Sequence, residues 1–144
     1  MSTVDQRTTL TEPAAAVAAP FSEAPARAVG AVALAALALI HVEDLPDTWG
    51  DSTLVGSAFV VLIAVSLALA GALLARPVNQ RLWLVVGAVG AGAMVAYVLS
   101  RTSGIPGDDD DIGNWRCPLG LATLTVETLI IVLAAWLASA RSRS

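Results

Sequence analysis

Three ionisable side chains lie in or at the end of apolar stretches of the sequence, where charged groups are rare. Glu127 lies inside the apolar run 118–140. His41 lies near the end of the first apolar run, and Arg101 ends the third. If these runs cross a membrane, Glu127 lies about 13 Å and His41 about 7 Å below its surface, since a helix rises about 1.5 Å per residue. Removing an ionisable group from water costs free energy, so these residues are candidates for a functional site.

Helical periodicity predicts that the three side chains can face one another. Residues three or four apart lie on the same face of a helix, so each candidate has companions on its own face. The faces consist of Gly30, Leu34, Leu37 and His41 in the first run, Gly90, Met94, Tyr97 and Arg101 in the third, and Gly120, Thr123 and Glu127 in the fourth. If these faces converge, the outer half of a helical bundle contains a polar pocket.

Glu127 admits two interpretations. It is a proton or cation site if it loads and releases an ion in an apolar medium that disfavours its bare charge. It is a structural residue if it is protonated, or paired with Arg101 or His41, and only holds helices together. Glu127 and Arg101 differ in height by about 13 Å along the membrane normal, less the reach of their two side chains. This gap is too large to assert a direct pair, so a bridge through water or Thr123 is favoured.

His41 also admits two interpretations. Imidazole and carboxylate groups are common metal ligands, and Glu43 and Asp44 follow His41 closely. Of these two acidic residues, only Asp44 shares a helical face with His41. Without a metal, His41 is expected to form a hydrogen bond to Glu43, to Asp44 or to a backbone carbonyl. Metal binding is the more specific of these two hypotheses for His41.

The rest of the composition gives little support to an enzyme or a bound cofactor. The chain has one histidine and one cysteine, Cys117, whereas a bis-histidine haem needs two histidines and an internal disulfide needs two cysteines. The aspartate run 108–111 lacks the alternating spacing of a calcium loop, and no phosphate-binding loop or serine-nucleophile motif occurs. We therefore expect no cofactor, and a non-enzymatic protein rather than an enzyme.

Four apolar runs, approximately 28–42, 54–75, 82–100 and 119–140, position these side chains. The composition is 56% hydrophobic and only 14% charged, and the mean hydropathy is +0.74. A bilayer span needs about 20 residues, so the first run is short unless the helix continues past His41. The pattern predicts an all-α membrane protein, a four-helix transmembrane bundle (27–140) in up-down-up-down order. Residues 1–26 are expected to form a disordered cytoplasmic tail and residues 141–144 a short cytoplasmic tail.

Arginine placement predicts the orientation of the chain in the membrane. Basic residues collect on the cytoplasmic side of membrane proteins. Six arginines fall on one side, namely Arg7, Arg27, Arg76, Arg81, Arg141 and Arg143. Only Arg101 and Arg116 fall on the other, together with eight acidic residues. Both termini are therefore expected to be cytoplasmic and the chain a multi-pass protein of the plasma membrane. The acidic outer loops attract cations or are simply solvated, and they give no reason to expect nucleic acid.

Two further patterns concern the helices themselves. Trp49 and Trp115 fall at the outer boundary and Trp83 and Trp136 at the inner one, so all four are predicted to be interfacial anchors. In the third run, small residues recur every four positions from Ala88 to Ser100. Such a stripe allows a neighbouring helix to approach closely, either within the chain or in a homo-oligomer.

The segment Ser100-Arg101-Thr102-Ser103-Gly104-Ile105-Pro106 is predicted to end the third helix. Gly104 can adopt the left-handed conformation that ends helices, and Pro106 prevents continuation. This S-R-T-x-G-hydrophobic-P motif resembles a family of small four-span integral membrane proteins of high-GC, actinobacterial-type bacteria. The resemblance covers about residues 28–138 and extends to His41 with its acidic followers, Arg76-Pro77, Gly113, Pro118-Leu119-Gly120 and Glu127. It implies an uncharacterised bacterial inner-membrane protein and assigns no activity. Members of the family often have an acidic residue where this chain has Cys117.

Three functional hypotheses follow from the sequence. The first is a non-enzymatic helical-bundle accessory or interaction protein of the bilayer that packs with itself or with a membrane-protein partner. The second is a small transporter or proton- or cation-handling protein that uses Glu127, His41 and Arg101. The third, with the least support, is a metal or redox protein with His41, Met94 and Cys117 as ligands.

Overall fold

A computed structural model describes residues 23–75, 79–106 and 109–141 of the 144-residue chain. Four helices account for most of them: α1 (Glu23–Asp51), α2 (Thr53–Ala75), α3 (Gln80–Thr102) and α4 (Pro118–Arg141). These residues contain no β-strand. All four helices are long and apolar enough to cross a membrane, with mean hydropathies from 1.8 to 2.7 over their most apolar windows. The all-α, four-helix class predicted from the sequence is confirmed, and these are the features of a multi-pass membrane protein.

α1 is much longer than the apolar run 28–42 that predicts it. The helix continues through Pro46 to Asp51, although proline lacks the N–H that would bond the carbonyl four residues earlier. Hydropathy falls after Val42 because residues 43–51 are largely polar and exposed, but the helix does not stop there. The extension adds two and a half turns of acidic helix above His41, at about 3.6 residues per turn.

α1 and α2 form a tight antiparallel pair. The Arg27 side chain donates to the carbonyl of Leu73 at one end, and the His41 ring contacts Phe59 much nearer the turn. Ser52 alone separates the two helices along the chain.

α3 and α4 also run antiparallel. Gly87 lies against Ala134, whereas Gly120 lies against Tyr97 at the opposite end of the pair. α1 packs against α4 as well, but α2 packs only lightly against α3. The helices are thus arranged in the order α2, α1, α4, α3, with an opening between the last and the first.

The packing of α3 against α4 around Gly90 does not use the predicted stripe of small residues. Ala88, Gly92 and Ala96 are exposed, and a Cβ built at Gly92 would meet nothing within 4 Å. The contact instead uses Gly90, where an added Cβ would lie 2.9 Å from Cγ2 of Ile130. The four-residue periodicity correctly identified the small residues. It could not indicate which of two overlapping helix faces meets a neighbouring helix.

Trp83 corrects a second prediction. It is only 1% exposed, and its ring lies against Gly30 inside the apolar core. Trp49, Trp115 and Trp136 are 37–44% exposed, as interfacial anchors are expected to be. Trp83 shares the inner boundary with Trp136 in sequence, but it points between helices because it is in register with Val86 and Gly90, which are also buried.

Helix ends are closed by specific groups. Arg27, near the start of α1, donates from Nε to the Leu73 carbonyl (2.6 Å) and from Nη2 to the Leu74 carbonyl (2.8 Å). These carbonyls lie in the last turn of α2 and lack helical partners. At the end of α3, Gly104 has a φ of 75°, and its N–H donates to the Leu99 carbonyl at 3.0 Å. The predicted left-handed glycine is confirmed.

Several predictions fall outside the described residues. They concern most of the expected tail 1–26, the turn 76–78, Asp108 and residues 142–144. The end of the expected tail is described, because α1 already begins at Glu23. The contacts within each helix pair favour an up-down-up-down order. The side of the membrane on which the termini lie stays a prediction.

Candidate functional site

A cavity of about 340 Å³ lies between the helices at the end of the bundle that carries the α1–α2 turn and the α3–α4 loop. We call this cavity the polar pocket. Residues of all four helices and of the α3–α4 loop line it. His41, Arg101 and Glu127 all contribute to the lining, so the structure brings the three sequence candidates to one place.

Glu127 lies on the inward face of α4. Gly120, Thr123, Glu127 and Ile130 are all buried, and their spacing of three or four residues is that of one helical face. The Glu127 side chain is 0% exposed, and neither carboxylate oxygen has a hydrogen-bond partner among the described residues. Thr123 does not bridge it to α3, because the Thr123 hydroxyl donates to the Leu119 carbonyl at 3.0 Å.

Arg101 pairs with Asp111 of the α3–α4 loop and not with Glu127. Its guanidinium also lies over the ring of Tyr97, 4.8 Å from the centroid, and the residue is 8% exposed. The charge of Arg101 is therefore balanced locally. Of the alternatives that the sequence left open for Glu127, a direct pair with Arg101 does not occur, because the loop places the Asp111 carboxylate on the guanidinium.

The α3–α4 loop folds back over the end of α3 to supply this carboxylate. Gly104 and Gly113 have φ values of 75° and 81°, a conformation that residues with a Cβ rarely adopt. The N–H of Gly113 donates to the Arg101 carbonyl at 2.9 Å, which fixes Asp111 beside the same residue. The two glycines are a sequence signal that the loop reverses, but they do not single out Asp111 from its aspartate neighbours.

His41 is held by its own helix. Nδ1 of His41 lies 2.9 Å from the Leu37 carbonyl oxygen. Because a carbonyl can only accept a hydrogen bond, Nδ1 is the donor, and Nε2 is the ring nitrogen that is left for the pocket. The ring meets Phe59 edge-on with 4.6 Å between centroids, and the residue is 7% exposed. Of the three partners that the sequence offers for a hydrogen bond, the backbone carbonyl is the one used.

The two acidic residues after His41 separate. Asp44 lines the polar pocket and is half-buried, whereas Glu43 is exposed and does not contribute to the lining. In the part of the chain that the structure describes, no three His, Cys, Asp or Glu side chains are arranged to hold a metal ion. Metal ligation at His41 therefore gains no support from the geometry.

The polar pocket carries an excess of acidic groups. One guanidinium, that of Arg101, faces six carboxyl groups, those of Asp44, Asp47, Asp51, Asp110, Asp111 and Glu127. The three aspartates of α1 reach the pocket because α1 continues past the apolar run, which the hydropathy pattern does not show. The aromatic rings of Phe59 and Tyr97 complete the walls. Carboxylates and aromatic faces both attract a positive charge.

The described geometry therefore suits a cationic ligand. No protein-family model matches the chain, and neither does any curated protein or solved structure compared with it. Membership of the small four-span family stays a prediction, and the chemistry of the pocket alone has to indicate its ligand.

Proposed function

We propose that this chain is a small multi-pass protein of the bacterial plasma membrane that handles protons or cations at the polar pocket, with Glu127 as the ion-binding group. One observation carries the proposal: a fully buried carboxyl group without a hydrogen-bond partner among the described residues lines a cavity with excess acidic charge. The sequence alone favours an accessory or interaction protein. The pocket gives the second hypothesis the stronger physical support.

A bare carboxylate in an apolar interior is costly, so Glu127 needs a proton or another cation to neutralise it. Because one carboxyl group carries one unit of charge, binding of a cation displaces the proton, and binding of a proton displaces the cation. Such competition at one site is the basis of exchange across a membrane. This competition supports a mechanism in which Glu127 couples the two movements.

Other ionisable groups around the pocket support this role. α1 contributes His41, Asp44, Asp47 and Asp51, α3 contributes Arg101, and the α3–α4 loop contributes Asp110 and Asp111. α2 contributes only apolar and aromatic side chains. Acidic groups at the mouth raise the local concentration of cations, and the pairing of Arg101 with Asp111 reduces its repulsion of them.

The test is proton movement in proteoliposomes loaded with a pH-sensitive dye. Sodium, potassium or tetramethylammonium chloride is added outside in turn, and at least one of them is expected to drive protons out through the wild type. The Glu127→Gln variant is expected to show no such signal. Glu43→Gln is the matched control because Glu43 is exposed and does not line the pocket. Equal signals from the wild type and Glu127→Gln would overturn the proposal.

A second candidate function, an interaction protein, is favoured by the exposed small residues of α3. Ala88 and Gly92 lie on a face that no described residue covers closely. A second copy of the chain or a partner helix fits such a face. The measurement is the oligomeric state in detergent for the wild type and for Gly92→Leu, in which a bulky side chain blocks close approach. A monomeric wild type would remove support for self-association.

A further inference from the structure

An apolar groove of about 520 Å³ lies between α2 and α3, where the bundle is open. Its walls include Val61 and Val65 of α2 and Ala88, Val89 and Gly92 of α3. Only one hydroxyl-bearing residue, Ser57, is among its lining residues. In a membrane, this groove faces the acyl chains of the lipid.

The groove and the polar pocket adjoin each other. Leu54, Ala58 and Leu62 of α2 and Ala93 of α3 line both of them. Two of these four residues are alanines, which leave space between the helices because they carry nothing beyond Cβ. A molecule can therefore contact apolar walls at one end and acidic groups at the other.

We propose that the groove and the polar pocket form one amphipathic binding site for a lipophilic organic cation, which reaches Glu127 from the lipid through the opening between α2 and α3. This proposal rests on the proposed function and names its substrate class. The cationic centre lies in the pocket, and its apolar substituents lie in the groove. The buried, unpartnered carboxyl group of Glu127 is the counter-charge.

The coordination available in the pocket favours an organic cation over a divalent metal ion. Divalent ions such as calcium take about six to eight oxygen ligands, whereas the described residues bring no group of three potential metal ligands together. A quaternary ammonium or phosphonium centre has a diffuse charge and needs no such shell. It is recognised by carboxylates and by aromatic rings, and the ring of Phe59 lines the pocket.

The sizes are also compatible. Small-molecule sites have volumes of about 300–1,000 Å³, and the pocket alone has about 340 Å³. The adjoining groove extends this space towards the lipid without adding charge. A cation with aromatic or alkyl substituents fits this division better than a fully polar one.

The first measurement is binding of tetraphenylphosphonium to the purified, detergent-solubilised full chain by equilibrium dialysis. We expect saturable binding to the wild type and a loss of affinity of about tenfold or more in Glu127→Gln, because the buried counter-charge is removed. Glu43→Gln is expected to bind like the wild type. Unchanged affinity in Glu127→Gln, or no saturable binding to the wild type, overturns the proposal.

The second measurement addresses the route. Ala93→Phe and Ala58→Phe each place a ring in the passage between groove and pocket from opposite walls, and both are expected to weaken tetraphenylphosphonium binding. Ala64→Phe is the matched control, since Ala64 is exposed on α2 and lines neither cavity. Circular dichroism identifies a variant that fails to fold. In that case the binding affinity of the variant on the opposite wall tests the route. Wild-type affinity in a folded Ala93→Phe or Ala58→Phe variant overturns the lateral route.

The proteoliposome assay separates failure of this proposal from failure of the proposed function. If sodium or potassium drives proton movement that depends on Glu127 but tetraphenylphosphonium does not bind, the organic-cation proposal is overturned and ion handling stands. If tetraphenylphosphonium binds through Glu127 but no cation drives proton movement, the site is supported and the transport function is overturned. If neither signal occurs, both are overturned.

Discussion

The surroundings of Glu127 favour the proposed role in ion binding over a role in stability. It is fully buried, its oxygens have no hydrogen-bond partner among the described residues, and Arg101, which lines the same pocket, is paired with Asp111. A buried polar group without partners destabilises a fold by about 1–3 kcal/mol. Proteins tolerate such groups mainly at functional sites, where activity and stability oppose each other.

Replacement of Glu127 by Gln is therefore expected to leave the thermal unfolding midpoint in detergent unchanged or to raise it. Gln has nearly the same shape and removes the carboxyl group, whose charge is the costly feature. The midpoint is followed by circular dichroism. A decrease of several degrees would contradict this prediction and would identify Glu127 as a structural residue that joins helices.

Replacement of Asp111 is expected to lower the thermal stability of the protein. Asp111→Asn removes the ion partner of Arg101, which is 8% exposed, and leaves the guanidinium poorly compensated. We expect a destabilisation of about 1–2 kcal/mol, reduced because Asp111 is itself 35% exposed. Thermal unfolding measures the change, with the exposed Asp109→Asn as control. Equal midpoints for the two variants would show that the ion pair contributes nothing.

At the scale of the helices, close approach of backbones decides the packing. α3 reaches α4 through Gly87 and Gly90, whereas the side chain of Trp83 fills the space beside Gly30 of α1. The α1–α2 turn depends on Gly56 in the same way, since an added Cβ would lie 2.6 Å from a ring carbon of Trp49. Lipid provides no hydrophobic driving force between helices, so van der Waals contact at small residues has to supply it.

Two glycines of α3 give a matched test of this packing. Gly90→Ala puts a Cβ 2.9 Å from Cγ2 of Ile130, so we expect a loss of about 1–3 kcal/mol from overpacking. Gly92→Ala meets nothing within 4 Å and is expected to be neutral or stabilising by up to about 1 kcal/mol, since alanine favours helix. Thermal unfolding of both variants in detergent measures the difference. A Gly90→Ala protein as stable as Gly92→Ala would show that α3 and α4 do not pack as described.

At the scale of the whole molecule, the bundle has an acidic end and a lipid-facing side opening. The α1–α2 turn and the α3–α4 loop carry the acidic groups around the polar pocket, and the groove between α2 and α3 adjoins it from the side. Large apolar side chains are exposed along all four helices, including Leu39, Leu67, Val95 and Val132. Such a surface suits contact with lipid rather than water.

The predicted orientation places the polar pocket on the outer side of the membrane. With Cys117→Ser as background, Arg116→Cys is expected to react with a membrane-impermeant maleimide in intact cells, because Arg116 is exposed in the α3–α4 loop. Asn79→Cys lies at the opposite end of the bundle and is expected to react only after permeabilisation. The reverse pattern would place the termini outside and the pocket in the cytoplasm.

The sequence by itself determined the class of this protein, because a span of about 20 apolar residues has few stable alternatives to a membrane helix. It also determined which residues were chemically unusual, because Glu127 and His41 interrupt apolar runs. Tertiary structure decided what these residues contact. The length of α1 past Pro46, the choice of Gly90 over Gly92, and the pairing of Arg101 with Asp111 depend on the rotation of helices and the path of a loop. Periodicity fixes which residues share a face but not which neighbour that face meets, so only the packed bundle shows that Glu127 lines a cavity without a partner among the described residues.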